Sequence, residues 1–170
     1  MSGELHDLAR TAAYAKDPSL ELGLADLNAW LGEHRVPPSA TCRAPITFVV
    51  GLQRSGSTLM MQLLAAGLDL AYPDNIVARL WRAPDIGFLI SRSLRQQCRT
   101  ISAFNSDYGV TDSPFEPHEF GYFWQHWLPL SSHHEPASDA LSEVDVAGLT
   151  ATLAAMEQAA GAPLLFKGVA

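Results

Sequence analysis

The chain has 170 residues, room for one domain with its own core. Hydrophobic residues make up 48% and charged residues 17%, which excludes a disordered chain, and two cysteines exclude a disulfide framework or a cysteine-based zinc site. Eighteen acidic residues against eleven basic ones give −7, the wrong sign for a general nucleic-acid binder, and no uncharged run exceeds 15 residues, too short for a membrane span. Nine of the eleven basic residues are Arg and only Lys16 and Lys167 are Lys, so anion binding is expected at a local site. Met1-Ser-Gly-Glu-Leu-His lacks the basic and apolar regions of a signal peptide, which points to the cytoplasm.

Residues 4–34 read as helical. Asp17-Pro-Ser-Leu-Glu21 is a helix start, with Asp17 as N-cap, Pro18 at the first helical position and Glu21 in the first turn. Leu20, Leu24, Leu27 and Leu31 follow at helical spacing as a packing stripe. Val36-Pro-Pro-Ser-Ala is a linker, because paired prolines forbid helix. The divisions expected are an N-terminal helical segment at 1–35, a linker at 36–44 and an α/β domain at 45–170.

Ile46-Thr-Phe-Val-Val50 is a β-branched and aromatic run that predicts a buried strand. Leu59, Met60, Met61, Leu63 and Leu64 form a helix that stops near Gly67; it is apolar almost all round and is expected to be buried. Tyr72-Pro-Asp-Asn75 is a turn, and 76–100 reads as helix with a break at Ala83-Pro84. Residues 105–117 read as loop, and 119–128 as an aromatic helix carrying Phe120, Tyr122, Phe123, Trp124 and Trp127. A polar loop at 129–139 leads to a helix over 145–160 ended by Gly161, then a second buried strand, Pro163-Leu-Leu-Phe-Lys167. This order predicts an α/β fold whose two clear strands lie parallel, joined by a long crossover.

Between the first strand and its helix lies Gly51-Leu-Gln-Arg-Ser-Gly-Ser-Thr58, with the outline of a phosphate-binding loop. Free N–H groups of a helix's first turn and its dipole favour an anion there, and glycines let the backbone approach it. The Lys that precedes Ser/Thr in nucleoside-triphosphate loops is absent: Ser57 stands in its place, and the loop's one cation is Arg54. Nor does a second metal-binding carboxylate follow a strand, as Mg²⁺-dependent hydrolysis requires.

The run Phe48-Val-Val-Gly-Leu-Gln-Arg-Ser-Gly-Ser-Thr-Leu59 resembles the 5′-phosphosulfate loop of the PAPS-dependent sulfotransferases (PAPS is 3′-phosphoadenosine 5′-phosphosulfate), matching at Arg54, Ser55, Gly56, Ser57 and Thr58. Pro117-His-Glu-Phe120 and Pro163–Lys167 resemble family segments more loosely. The resemblance implies a P-loop NTPase-like parallel sheet with flanking helices. It also implies PAPS as donor, held by Gln53, Arg54, Ser55, Gly56, Ser57 and Thr58 without a metal, Arg54 as the leaving-group cation, and a hydroxyl or amine acceptor on a small molecule, sugar or lipid. The family reads the 3′-phosphate with an Arg and a Ser after a further strand. That half has no counterpart here, so the sheet is expected to be incomplete and discrimination for the 3′-phosphate to be lost. A non-catalytic nucleotide-binding remnant and a P-loop kinase-like phosphotransferase are the alternatives.

For the base that takes the acceptor's proton, three residues are candidates. Glu119 is preferred and His118 second, where a loop turns into the aromatic helix; Asp74 is third, where some bacterial members of the family place an acid. Glu119 as a helix-start carboxylate and Asp74 as a turn residue are the structural alternatives. Arg92, Arg95 and Arg99 share a helix face, as a solvated face or an anion-holding one; Arg79 and Arg82 pose the same choice. His126, His133 and His134 fit no metal-ligand spacing, and the aromatic cluster at 120–127 is core or an acceptor pocket. The acceptor and the oligomeric state are left open.

Overall fold

The structure is a computed structural model that describes residues 16–36, 41–52, 55–97, 106–107, 110–111, 113–129, 142 and 144–169. In chain order the elements are α1 (Pro18–His34), β1 (Thr47–Gly51), α2 (Ser57–Gly67), a 3₁₀ turn (Val77–Leu80), α3 (Pro84–Arg95), β2 (Ser106–Asp107), β3 (Val110–Thr111), α4 (Gly121–Trp127), α5 (Val146–Ala160) and β4 (Leu165–Val169).

The architecture is α/β. β1 and β4 pair in parallel, from Thr47 opposite Leu165 to Gly51 opposite Val169, with helices flanking this two-stranded sheet. Ala71 bridges to Leu164 in parallel, bringing the chain after α2 alongside the start of β4. β2 and β3 form a separate antiparallel pair inside the stretch expected to be loop; two residues per strand are too few for an alternating pattern to reveal.

Local signals are realised where predicted. Asp17 caps α1 by accepting from the Ser19 and Leu20 N–H groups at 2.9 and 3.3 Å, and Pro18 opens the helix. Pro84 likewise opens α3. Gly161 ends α5 with φ +76° and donates to the Glu157 carbonyl at 2.8 Å.

Three packing expectations are corrected. β1 is a strand but not a buried one: Phe48 and Val50 are 48% and 68% exposed, because among the described residues β1 has only β4 as a neighbour in the sheet. In α1 the leucine stripe is only half covered: Leu31 is buried and Leu24 partly so, whereas Leu20 and Leu27 are exposed. Asn28 shares the covered face because its amide is fully used. It donates to the Leu24 and Arg79 carbonyls at 2.8 and 2.9 Å and accepts from the Arg82 N–H at 2.9 Å, docking α1 on the 3₁₀ turn. A bidentate ion pair between Arg35 and Asp85 ties the end of α1 to the start of α3. In α2, apolar composition does not mean full burial: Met61 and Gln62 are buried, but Leu59, Met60 and Leu63 are half exposed. A two-stranded sheet covers only one side of the helix.

The main core joins Val77, Phe88, Phe120, Phe123, Met156, Leu164 and Phe166; a smaller cluster under α2 joins Met61, Tyr72 and Leu165. The aromatic helix α4 serves this core. The Phe120 and Phe123 rings stack at 4.6 Å, and Trp124 meets Phe166 edge-on at 5.2 Å. Among the described residues, no helix is long and apolar enough to cross a membrane.

Candidate functional site

β1 ends at Gly51, and α2 begins at Ser57 with Gly56 as its N-cap at φ +83°. That left-handed conformation is cheap only for glycine. At Gly51 a Cβ would lie 2.7 Å from Ser55 Oγ, so a side chain there would turn that hydroxyl aside. The Ser55 N–H donates to the Leu52 carbonyl at 3.2 Å, closing the turn. Gly56 offers no side-chain cap, which leaves the first-turn amides of α2 directed outward without one. The predicted residues Gln53 and Arg54 lie outside the described residues.

Thr58, in the first turn of α2, faces a cation that the sequence reading did not assign to the site. Lys167 Nζ donates to Thr58 Oγ1 at 2.9 Å and to Glu119 Oε1 at 2.5 Å. Parallel pairing explains the meeting: Lys167 stands opposite Val49, so both strands run toward the same end, where α2 begins. Its side chain is only 11% exposed, whereas that of Glu119 is 42% exposed. A buried ammonium must be paired, and Thr58 and Glu119 together do this. The available signal was its isolation: one of two lysines, near the end of an otherwise apolar strand.

His118 is adjacent but differently used. Its N–H donates to the Pro73 carbonyl at 2.8 Å, and its ring Nδ1 accepts from the Phe120 N–H at 2.8 Å, leaving the ring proton on Nε2. Burial pushes its pKa down, helped by Lys16 and Lys167 and opposed by Glu119 and Asp74. The bond to Phe120 holds that residue at φ +60°, a left-handed conformation that is uncommon for a bulky side chain. Glu119 therefore sits in a sharp corner, fixed on both sides.

Asp74 belongs elsewhere, which corrects its candidacy as the base. It is fully buried, accepts from the Ile76 and Val77 N–H groups at 3.0 and 2.9 Å, and accepts from the Ser91 hydroxyl. Arg95 completes the set at 2.7 Å. Both carboxylate oxygens are committed, so Asp74 has no lone pair directed at a substrate. Arg95 is likewise not on a solvated face: it is partly buried and bonded to Tyr72 and Asp74. Arg92 and Arg79 are exposed, and Arg99 lies outside the described residues. Arg82 approaches His126 Nδ1 at 2.8 Å; burial first, and then Arg82, lower the His126 pKa. His133 and His134 lie outside the described residues, and among those described no cluster of His, Cys, Asp or Glu is placed to hold a metal.

The arrangement thus combines uncapped helix amides, the Ser55, Ser57 and Thr58 hydroxyls, a nearly buried ammonium and a half-exposed carboxylate. Chemically it can receive an anion at the amides and accept a proton beside it. No protein-family model, curated protein or solved structure matches this chain.

Proposed function

We propose that this chain is a sulfuryl transferase of the P-loop type, with PAPS as donor and a hydroxyl or amine of a small molecule, sugar or lipid as acceptor. The observation that carries the reading is Lys167: its ammonium bridges Thr58, in the first turn of α2, and the carboxylate Glu119. The loop lacks a lysine at Ser57, and Lys167 brings a cation to it from the neighbouring strand.

In this reading the 5′-phosphosulfate lies against the amides of residues 55–58, with Gln53 and Arg54 completing the loop. The acceptor oxygen attacks sulfur in line, forming a new S–O bond, while the bond from sulfur to the phosphate oxygen breaks. Glu119 takes the acceptor proton, and adenosine 3′,5′-bisphosphate leaves. Lys167 and Arg54 balance the charge that grows on the leaving oxygen. A donor of this kind is worth about 10²–10³-fold in kcat where oxyanion sites have been measured, and a positioned base about 10²–10⁴-fold.

A kinase-like phosphotransferase is the second reading, because a lysine supplied from β4 would serve a γ-phosphate equally well. A thermal-shift and calorimetric screen of PAPS, adenosine 3′,5′-bisphosphate and ATP with Mg²⁺ separates the two. The sulfuryl-transferase reading expects PAPS to displace ATP and Arg54→Ala to abolish transfer. Binding of ATP with Mg²⁺ but not PAPS would select the phosphotransferase.

A further inference from the structure

We propose that Arg95 is a positioning residue for the Glu119 carboxylate, acting through the backbone of residues 115–118; the proposal rests on the functional reading above. Arg95 leaves α3 and inserts its guanidinium between two rings, 4.6 Å from the centre of Tyr72 and 5.5 Å from that of Phe115. Its Nη2 donates to the Phe115 carbonyl at 3.1 Å and to Asp74 Oδ2 at 2.7 Å. Its Nη1 donates to the Tyr72 hydroxyl at 2.8 Å, and its Nε to Ser91 Oγ at 3.1 Å. The Tyr72 hydroxyl in turn donates to the same Phe115 carbonyl at 3.1 Å. One backbone carbonyl thus receives two side-chain donors, one of them charged.

From that carbonyl the constraint runs along the chain to the site. Pro117 pairs with Asp74 in an antiparallel bridge, and the His118 N–H reaches the Pro73 carbonyl. His118 then holds Phe120, and Glu119 lies between them. Upstream, Asn75 fixes the same segment by donating to the Thr111 and Ser113 carbonyls at 3.2 and 2.7 Å. Residues 113–118 are therefore strapped to 72–75, and Arg95 is the charged clasp of the strap. Arg95 touches neither residues 55–58 nor Lys167 in any of these bonds. Lysine cannot replace it, because it lacks the planar fork that reaches the Phe115 carbonyl, Asp74 and Tyr72 together.

The test uses the full chain with Arg95→Lys and, as a gentler variant, Tyr72→Phe. The first readout is the NMR signal of the Lys167 ammonium in the nucleotide-free protein, with Glu119→Gln as reference for a broken pair. Arg95→Lys should move the signal toward that reference, and Tyr72→Phe should move it less in the same direction. The second readout is kinetic: PAPS affinity by calorimetry unchanged, and kcat reduced about 10–100-fold, as a displacement on the order of 1 Å produces. A signal that stays in place in both variants overturns the proposal, as does a fall in PAPS affinity that matches the fall in kcat. Should Arg95→Lys fail to fold, the Tyr72→Phe shift decides alone. The NMR readout needs no turnover, so an inactive wild-type protein with a shifted signal would sink the sulfuryl-transferase reading and uphold the positioning role.

Discussion

Two carboxylate–cation pairs in this molecule differ in how far their bonding is used up. Asp74 is 1% exposed in its side chain and takes donors from two backbone amides, Ser91 and Arg95. Glu119 is 42% exposed and meets Lys167 and an open face. The contrast separates an ion pair whose bonding is saturated from one that leaves a carboxylate open to solvent. A saturated carboxylate holds the chain in place, and a carboxylate with unused lone pairs beside a dry cation can do chemistry. The two are joined in series, since the 72–75 segment that Asp74 anchors holds the backbone leading to Glu119.

The largest expected effect breaks the buried partner. Asp74→Asn leaves Arg95 without its counter-charge and should cost about 3–5 kcal/mol of stability, read by chemical denaturation. A loss under about 1 kcal/mol would show that the pair is solvated in solution. Next, Gly51→Ala turns the Ser55 hydroxyl aside and should cost up to about 1 kcal/mol, with weaker anion binding, measured by thermal shift in the presence of PAPS. Removing the α1 cap, Asp17→Ala, should cost about 1 kcal/mol and leave PAPS affinity unchanged. The smallest effect is that of pH on His118. The folded protein resists its protonation, so below the ordinary value of 6.5 the unfolded chain binds more protons. Stability should therefore be full above that pH and decline as pH falls through it. Glu119, Asp74, Lys16 and Lys167 are the charges that face the ring. His118→Asn should flatten that part of the pH–stability curve in denaturation titrations.

What could be read from the sequence was what depends on neighbours in the chain. Asp17-Pro18, Gly161 and the two apolar strands carry their own instructions, and the parallel pairing follows from their order with helices between. Ser55–Thr58 stood out because a glycine- and hydroxyl-rich run between a strand and an apolar helix has the outline of a phosphate-binding loop. Lys167, Asn28 and Arg95 did not, because their partners are 109, 51 and 21 residues away and only the fold brings them together. The half-exposed face of α2 was missed for the same reason: an apolar helix reveals its composition, not how many neighbours cover it.

The most direct measurement is a calorimetric titration of PAPS into the wild-type protein, Lys167→Met and Lys16→Met. Lys16 is the other lysine of the chain, paired with Glu21 at the surface. The account predicts tight binding to the wild type and to Lys16→Met, and binding at least about tenfold weaker to Lys167→Met, a difference of about 1.4 kcal/mol. Equal affinity in all three proteins, or no binding in any of them, would contradict it.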